Sequence, residues 1–144
     1  MIHYVRNGDI FESQAQTIVN PVNCVGVMGA GLALGFKNKY PQMFSVYQKH
    51  CFSGDLTPGK LMLYKTDKHW ILNFPTKDHW INPSQMSYIE KGLEKFVSAY
   101  KTKGIISVAF PKLGCGRGGL DWVQVKALME KYLNNLEIEV FIYV

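Results

Sequence analysis

The sequence lacks the features that mark membrane proteins, secreted disulfide proteins and metalloproteins. No apolar run approaches the roughly 20 residues that a transmembrane helix needs. The first ten residues, MIHYVRNGDI, lack the basic and apolar regions of a signal peptide. The three cysteines form no CxxC pair, and the four histidines have no metal-ligand spacing. We therefore expect a cytoplasmic monomer without a structural disulfide, a metal or a cofactor.

Length and composition are those of one ordinary α/β domain. The chain has 144 residues, of which 47% are hydrophobic and 19% charged. No repeat, linker or low-complexity stretch divides it, so we expect a single domain over residues 1–144. The net charge of +5 comes from scattered basic residues. A polyanionic partner is compatible with this charge but not required by it.

Six apolar segments predict strands. They span residues 2–6, 16–19, 60–65, 70–74, 105–110 and 138–143. Two of them, IISVAF and VFIYV, are nearly continuous apolar runs, which is typical of strands covered on both faces.

Helix signals fall between these strands. The run Asn82-Pro-Ser-Gln85 resembles a capping box and predicts a helix start, with Gly104 as its end. Asp121 predicts the start of a second helix, whose apolar stripe extends to Leu136. Two further helices are expected over 32–39 and 41–52, separated at Pro41. The alternation predicts a three-layer α/β/α fold around a mixed, mostly parallel sheet of about six strands. Ligands of such folds bind beyond the carboxyl ends of the strands.

Two glycine-rich segments each leave a predicted strand and enter a helix. The first is NPVNCVGVMGAG at 20–31 (loop one), and the second is PKLGCGRGG at 111–119 (loop two). Glycine lets the backbone approach an anion closely, and a helix start offers free N–H groups. Two such loops on one edge of the sheet suit a diphosphate clamped from both sides. The P-loop pattern GxxxxGK[ST] is absent.

Four motifs in order resemble the macrodomain family over essentially the whole chain. They are Gly8-Asp-Ile10, Ile18-Val-Asn20, Gly29-Ala-Gly31 and Leu113-Gly-Cys-Gly116. The resemblance implies that ADP-ribose is the ligand, with Asp9 accepting a hydrogen bond from the adenine amino group and the Ile10 N–H bonding the ring. It assigns the distal ribose and part of the diphosphate to loop one, and the rest of the diphosphate to loop two. The residues assigned to ADP-ribose are Gly8, Asp9, Ile10, Val19, Asn20, Asn23, Met28, Gly29, Ala30, Gly31, Leu32, Thr76, Leu113, Gly114, Cys115, Gly116, Arg117 and Gly118.

The residues themselves leave alternatives open. Asp9 follows a glycine at a strand end, which is also typical of a turn residue. Cys24 and Cys115 have no indicated histidine partner, so we interpret both as packing residues.

The segment NFPTKDHW, at 73–80, indicates catalysis. Together with NCVGVMGAGLALGFK and LGCGRGGLDW, it resembles the DarG-type antitoxin macrodomains and, more distantly, the terminal ADP-ribose protein glycohydrolases. In both groups the lysine that matches Lys77 is assigned to catalysis. A neutral amine there would attack the anomeric carbon of the distal ribose and form a Schiff-base-like intermediate. Asn23 would orient the ribose or the leaving base. His79 and the adjacent Asp78 are weaker acid/base candidates, and the general acid is unassigned.

The resemblance therefore implies a hydrolase that removes ADP-ribose from thymidine in single-stranded DNA. Such an antitoxin would reverse a DarT-type toxin, which is a candidate partner. Trp80 would stack on a neighbouring base, although a core or lid role is equally compatible with the sequence.

Three alternatives remain open. They are a reader that binds ADP-ribose without needing Lys77, a hydrolase of ADP-ribosylated protein, and a general nucleic-acid-binding module. The protein hydrolase is disfavoured, because Gly118 stands where those enzymes carry an aspartate. Asp121 lies nearby, but its role as a helix cap explains it.

Overall fold

A computed structural model describes residues 1–144 and contains one six-stranded sheet. The strand order is β1-β6-β5-β2-β4-β3, and only the β3–β4 pair is antiparallel. All six predicted strands are present. Their bounds are Ile2–Val5 (β1), Thr17–Val22 (β2), Met62–Lys65 (β3), Trp70–Pro75 (β4), Ser107–Phe110 (β5) and Glu139–Tyr143 (β6).

Four helices cover the two faces of this sheet. Their bounds are Gly31–Lys39 (α1), Pro41–Phe52 (α2), Met86–Lys103 (α3) and Trp122–Leu133 (α4), with short 3-10 turns at Ile10–Glu12 and Gly116–Gly118. Successive side chains of β2 point to opposite faces. Ile18 packs in the core under α1 and α2, whereas Val19 packs in the core under α3 and α4. The fold is therefore the expected three-layer α/β/α sandwich.

Helix ends confirm some of the sequence signals and correct others. Gly104 ends α3 in the left-handed conformation, with φ of 82°, and the Asp121 carboxylate accepts a hydrogen bond from the Val123 N–H at 3.2 Å. The predicted capping box at 82–85 is wrong, because α3 begins only at Met86. Leu136 also lies outside α4, which ends at Leu133. None of the helices combines the length and hydropathy needed to cross a membrane.

The predicted capping box does not form, because its polar groups make other hydrogen bonds. The Asn82 side chain donates to the Asp78 carboxylate at 3.2 Å, and the Ser84 N–H donates to the Gly118 carbonyl at 3.0 Å. The chain is thereby held in a turn after β4 instead of starting a helix.

Three parallel strands at the centre of the sheet position the site. β5, β2 and β4 are neighbours, so their carboxyl ends lie at one edge. Loop one follows β2, loop two follows β5, and the segment 76–84, here called the lysine loop, follows β4.

Candidate functional site

An open cavity of about 1050 Å³ lies where these three loops meet. Its walls come from loop one with the start of α1, from the lysine loop, and from loop two. The cavity therefore occupies the edge at which an α/β sheet of this kind binds ligands.

Many of the residues predicted from the sequence line this cavity together. They are Asn23, Gly29, Ala30, Gly31, Leu32, Thr76, Lys77, Gly114, Cys115, Arg117 and Gly118. The others do not line it. Val19, Asn20, Met28 and Leu113 are buried, and Gly8, Asp9, Ile10, Gly116 and His79 are also outside the lining.

Asn20 belongs to a buried amide pair below the cavity. It is fully buried, and its side chain donates to the Asn73 side-chain oxygen at 3.0 Å on the neighbouring strand. Asn73 in turn contacts the sulfurs of Met43 and Met62, each at 3.4 Å. The Asn20 side chain thus links β2 to β4 through its nitrogen, while its buried side-chain oxygen has no hydrogen-bond partner within the protein.

Asp9 does make the turn contact that the sequence allowed. One carboxylate oxygen accepts a hydrogen bond from the Phe11 N–H at 2.9 Å and caps the first 3-10 turn. The side chain is exposed, and its second oxygen makes no hydrogen bond within the protein. One oxygen of the Asp9 carboxylate therefore remains without a hydrogen bond, and the contact of Asp9 with adenine stays a prediction.

Asn23 is the centre of a hydrogen-bond network that shapes loop one. Its side-chain oxygen accepts from the N–H groups of Val25 and Val27, at 3.1 and 3.4 Å, and from the Tyr47 hydroxyl at 2.8 Å. Its amide nitrogen donates to the Val27 carbonyl at 2.8 Å. Three donors already occupy the oxygen, and the side chain is buried. This geometry fits a positioning role better than the catalytic role predicted for it.

The start of α1 opens into the cavity without a cap. Ala30 occupies the N-cap position and cannot accept a hydrogen bond through its side chain. The N–H groups of the first turn therefore lack partners inside the helix, and Gly31, Leu32 and Ala33 line the cavity. Gly31 has φ of 56°, which a residue with a Cβ rarely adopts. This arrangement presents donors and a positive dipole end to an anion.

Lys77 is held at the junction between loop one and the lysine loop. Cys24 of loop one makes two contacts on this segment: its thiol donates to the Lys77 carbonyl at 3.6 Å, and its N–H donates to the Asp78 carbonyl at 3.0 Å. The Lys77 amine makes one long contact, 3.4 Å to the Trp80 carbonyl, and forms no ion pair. The backbone is thus fixed, while the amine stays available to a ligand.

Asp78 and His79 organise the turn that follows. The Asp78 carboxylate accepts from the Asn82 side chain and from the His79 N–H, and these hydrogen bonds lower the pKa of the carboxyl. The His79 ring accepts from the Ile81 N–H at 3.2 Å. Both residues lie outside the cavity lining, so the geometry does not favour the acid/base role predicted for His79.

Loop two approaches the lysine loop very closely at Gly118. A Cβ on Gly118 would lie 2.3 Å from the Ser84 hydroxyl and 3.0 Å from the Ser84 Cβ, so a larger residue at position 118 requires the Ser84 side chain to move. The glycine that stands in place of the aspartate thus allows this close approach of the two loops.

The charges that line the cavity all have one sign. Lys77, Lys112 and Arg117 face it, no Asp or Glu lines it, and none of the three cations is in an ion pair. Unpaired cations inside a concave surface raise the local concentration of anions. The cavity therefore suits an anionic ligand.

The two cysteines near the cavity have the character of packing residues. Burial raises the pKa of Cys24 to about 12 and also raises the pKa of Cys115. Both thiols are therefore protonated at neutral pH, which makes them poor nucleophiles.

Ser84 and Lys112 are among the lining residues that sequence reasoning missed. Lys112 lies inside loop two, between a strand end and the glycines, and its charge in that context was an available signal. Ser84 had no such signal, because its position depends on the packing of the lysine loop against Gly118.

Known proteins are similar to this chain in sequence and in fold. The family model described as Macro domain matches residues 19–129. The DNA ADP-ribosyl glycohydrolase of Mycobacterium tuberculosis is 43% identical over 143 residues, covering 95% of this chain and 40% of the relative. The solved macrodomain of Mycobacterium tuberculosis DarG superposes with a TM-score of 0.95 at 42% identity, covering 99% of this chain and 97% of that one. Thermosipho africanus DarTG, solved in complex with ADP-ribose, superposes with a TM-score of 0.94 at 45% identity, covering 99% of this chain and 41% of that one. The chain thus spans about 40% of the length of the curated relatives it matches.

Proposed function

The chain belongs to the macrodomain family, and on that premise we propose that it is a DNA ADP-ribosyl glycohydrolase. It releases ADP-ribose from thymidine in single-stranded DNA and so acts as an antitoxin against a DarT-type toxin. Water is the only second substrate that the proposal requires. Because the substrate is cellular DNA, the proposal keeps the expectation of a cytoplasmic protein.

One observation carries the proposal: a lysine stands in an electropositive cavity between two glycine-rich loops. Lys77 lies there with Lys112 and Arg117, and the cavity has no lining carboxylate. A protein that only bound ADP-ribose would need the loops and the positive charge. It would not need a lysine whose backbone is fixed where two loops meet and whose amine has no ion-pair partner. The position of Lys77 therefore favours hydrolysis over reading.

The cavity supports an assignment for each part of ADP-ribose. The uncapped first turn of α1 and the glycines of loop two supply N–H donors for the diphosphate. The proposal keeps adenine on Asp9 and Ile10, which is supported by the Asp9 oxygen that makes no hydrogen bond within the protein. The distal ribose then lies toward Lys77.

The proposed reaction proceeds in two steps at the distal ribose. The Lys77 amine attacks the anomeric carbon, the bond from that carbon to the thymine nitrogen breaks, and the proton lost by the amine ends on thymine. The ribose ring then opens to an imine with Lys77. Water adds to this imine, restores the amine and releases ADP-ribose. The net reaction consumes one water molecule.

The rim of the cavity supports a nucleic-acid substrate. Trp80 is 53% exposed and Ile81 is 70% exposed, and both line the mouth. An exposed indole beside a cationic cavity suits stacking on an unpaired base, which is worth about 1–3 kcal/mol in single-strand binders. The Mycobacterium tuberculosis relative named above is a DNA ADP-ribosyl glycohydrolase, which supports the same substrate.

Incubation with a thymidine-ADP-ribosylated oligonucleotide tests the proposal, with mass analysis of both products. We expect free ADP-ribose and an unmodified oligonucleotide. An ADP-ribosylated peptide serves as the comparison substrate. Release from the peptide alone would indicate a protein hydrolase, and tight binding of ADP-ribose without release from either substrate would indicate a reader.

A further inference from the structure

Ser84 is a buried side chain on the cavity wall that contributes no hydrogen bond to the fold. It is 5% exposed and lines the cavity at the end of the lysine loop. Its hydroxyl oxygen is buried and has no hydrogen-bond partner. Buried hydroxyls are nearly always paired, so an unpaired one on a cavity wall requires an explanation.

Loop two is shaped to leave room for this hydroxyl. A Cβ on Gly118 would lie 2.3 Å from the Ser84 oxygen and 3.0 Å from the Ser84 Cβ. Gly118 does not have a positive φ, so its backbone conformation does not itself require glycine. The glycine is explained by the close approach of Ser84, which the Ser84 N–H reinforces by donating to the Gly118 carbonyl at 3.0 Å.

The fold gains nothing from the hydroxyl that would account for it. A serine just before a helix is typical of an N-cap, but the N-cap of α3 is Gln85, and no side chain caps that helix. An unpaired hydroxyl in a buried position is unfavourable for the protein alone. Ser84 lines the cavity while its hydroxyl lies against Gly118, so a rotation of this short side chain would let a bound molecule in the cavity supply the missing partner.

We propose that the Ser84 hydroxyl binds a hydroxyl of the distal ribose and positions that sugar for the reaction. This inference rests on the proposed function. Ser84 lies where the lysine loop meets loop two. The distal ribose has a corresponding position in the ligand, because it carries the anomeric carbon that Lys77 attacks and is bonded to the diphosphate. A serine hydroxyl both donates and accepts, which matches a sugar hydroxyl. A phosphate only accepts, and Lys112 and Arg117 already offer donors for it.

Ser84→Ala tests the assignment through the affinities for ADP-ribose and for ADP, which lacks the distal ribose. We expect the affinity for ADP-ribose to fall about five- to tenfold and the affinity for ADP to stay unchanged. The melting temperature without ligand should not fall, because the variant loses an unpaired buried hydroxyl. Ser87→Ala, an exposed serine in the first turn of α3, is the matched control and should change none of these values.

Other results overturn the assignment in distinguishable ways. An equal loss for ADP-ribose and ADP would place the hydroxyl on a phosphate, and a lowered melting temperature would make Ser84 a structural residue. If Ser84→Ala binds both ligands as the wild type does, the inference fails while the proposed function stands. If the wild type binds ADP-ribose no better than ADP and releases none from DNA, the proposed function itself fails.

Gly118→Ala provides a second route to the same side chain. The added Cβ must displace the Ser84 hydroxyl, so the variant should lose affinity for ADP-ribose in the wild-type background. In the Ser84→Ala background the shortest clash is absent, so the additional loss should be smaller. Equal losses in the two backgrounds would contradict the proposed contact.

Discussion

Replacement of Asn23 by Ala separates a positioning role from a catalytic one. The substitution removes three hydrogen bonds inside loop one and a fourth to Tyr47 of α2. The Tyr47 hydroxyl is left with only the Asn23 carbonyl, also at 2.8 Å, as its acceptor. The N–H groups of Val25 and Val27 lose their acceptor in a partly buried loop. A typical net contribution is about 1 kcal/mol for each hydrogen bond.

The stability cost of Asn23→Ala follows from these contacts. Water reaches part of the loop and replaces some of the bonds, so we expect a loss of about 2–4 kcal/mol in the free energy of unfolding. For a chain of this size the melting temperature should fall by roughly 6–15 °C. The affinity for ADP-ribose should fall as well, because loop one loses the conformation that lines the cavity.

Thermal unfolding and calorimetric titration with ADP-ribose measure both effects. Asn23→Asp is the comparison variant: it keeps an oxygen for the Val25, Val27 and Tyr47 donors, but it sets a carboxylate against the Val27 carbonyl and in the anion site. It should therefore keep part of the hydrogen bonding of loop one while losing affinity for ADP-ribose. If Asn23→Ala kept its melting temperature and its affinity but lost turnover, the positioning account would be wrong and the catalytic prediction correct.

Three further predictions concern the adenine contact, the anion site and the thiols. Asp9→Ala should weaken ADP-ribose binding by about 1–3 kcal/mol through loss of a hydrogen bond to adenine, and unchanged affinity in a titration would leave Asp9 as a turn cap only. Gly31→Glu should abolish binding by placing a carboxylate at the uncapped helix start. Gly54→Glu is the control, because Gly54 also has a positive φ and has open space where its Cβ would lie, so this variant should fold and bind normally. Equal binding by both variants would show that loop one does not form the anion site. Because the pKa of Cys24 is raised to about 12, only about one thiol in ten thousand is ionised at pH 8. Iodoacetamide should therefore leave Cys24 unmodified in the folded protein, as peptide mass analysis would reveal, and rapid alkylation would contradict its packing role.

The fold was predictable because its main signals are local. The apolar run at 105–110 contains the buried strand β5, and Asp121 caps α4 through a contact two residues away. The start of α3 was not predictable from the capping pattern alone, because the Asn82 side chain bonds to Asp78 and the Ser84 N–H bonds to the distant Gly118 carbonyl. A helix-capping pattern does not show that other groups compete for its polar atoms.

The cavity was predictable in place but not in detail. Strand-loop-helix context and parallel strands put loop one, loop two and Lys77 at one edge of the sheet. The sequence could not indicate which polar groups the protein itself uses. Asn23 has its oxygen fully occupied, whereas Ser84 has an unpaired hydroxyl, and both facts depend on neighbours distant in sequence.

The most direct test of the central claim is reductive trapping of the covalent intermediate at Lys77. Borohydride added during turnover of thymidine-ADP-ribosylated oligonucleotide should link ADP-ribose to the wild-type chain, and peptide mass analysis should locate the adduct on Lys77. Lys77→Ala should form no adduct and should lose more than about a hundredfold in turnover, with nearly normal affinity for ADP-ribose. Lys77→Arg should fail as well, because a guanidinium stays protonated. Lys112→Ala, at a lysine of the same cavity, should lower affinity yet still form the adduct. Normal turnover by Lys77→Ala, or an adduct on another residue, would contradict the account.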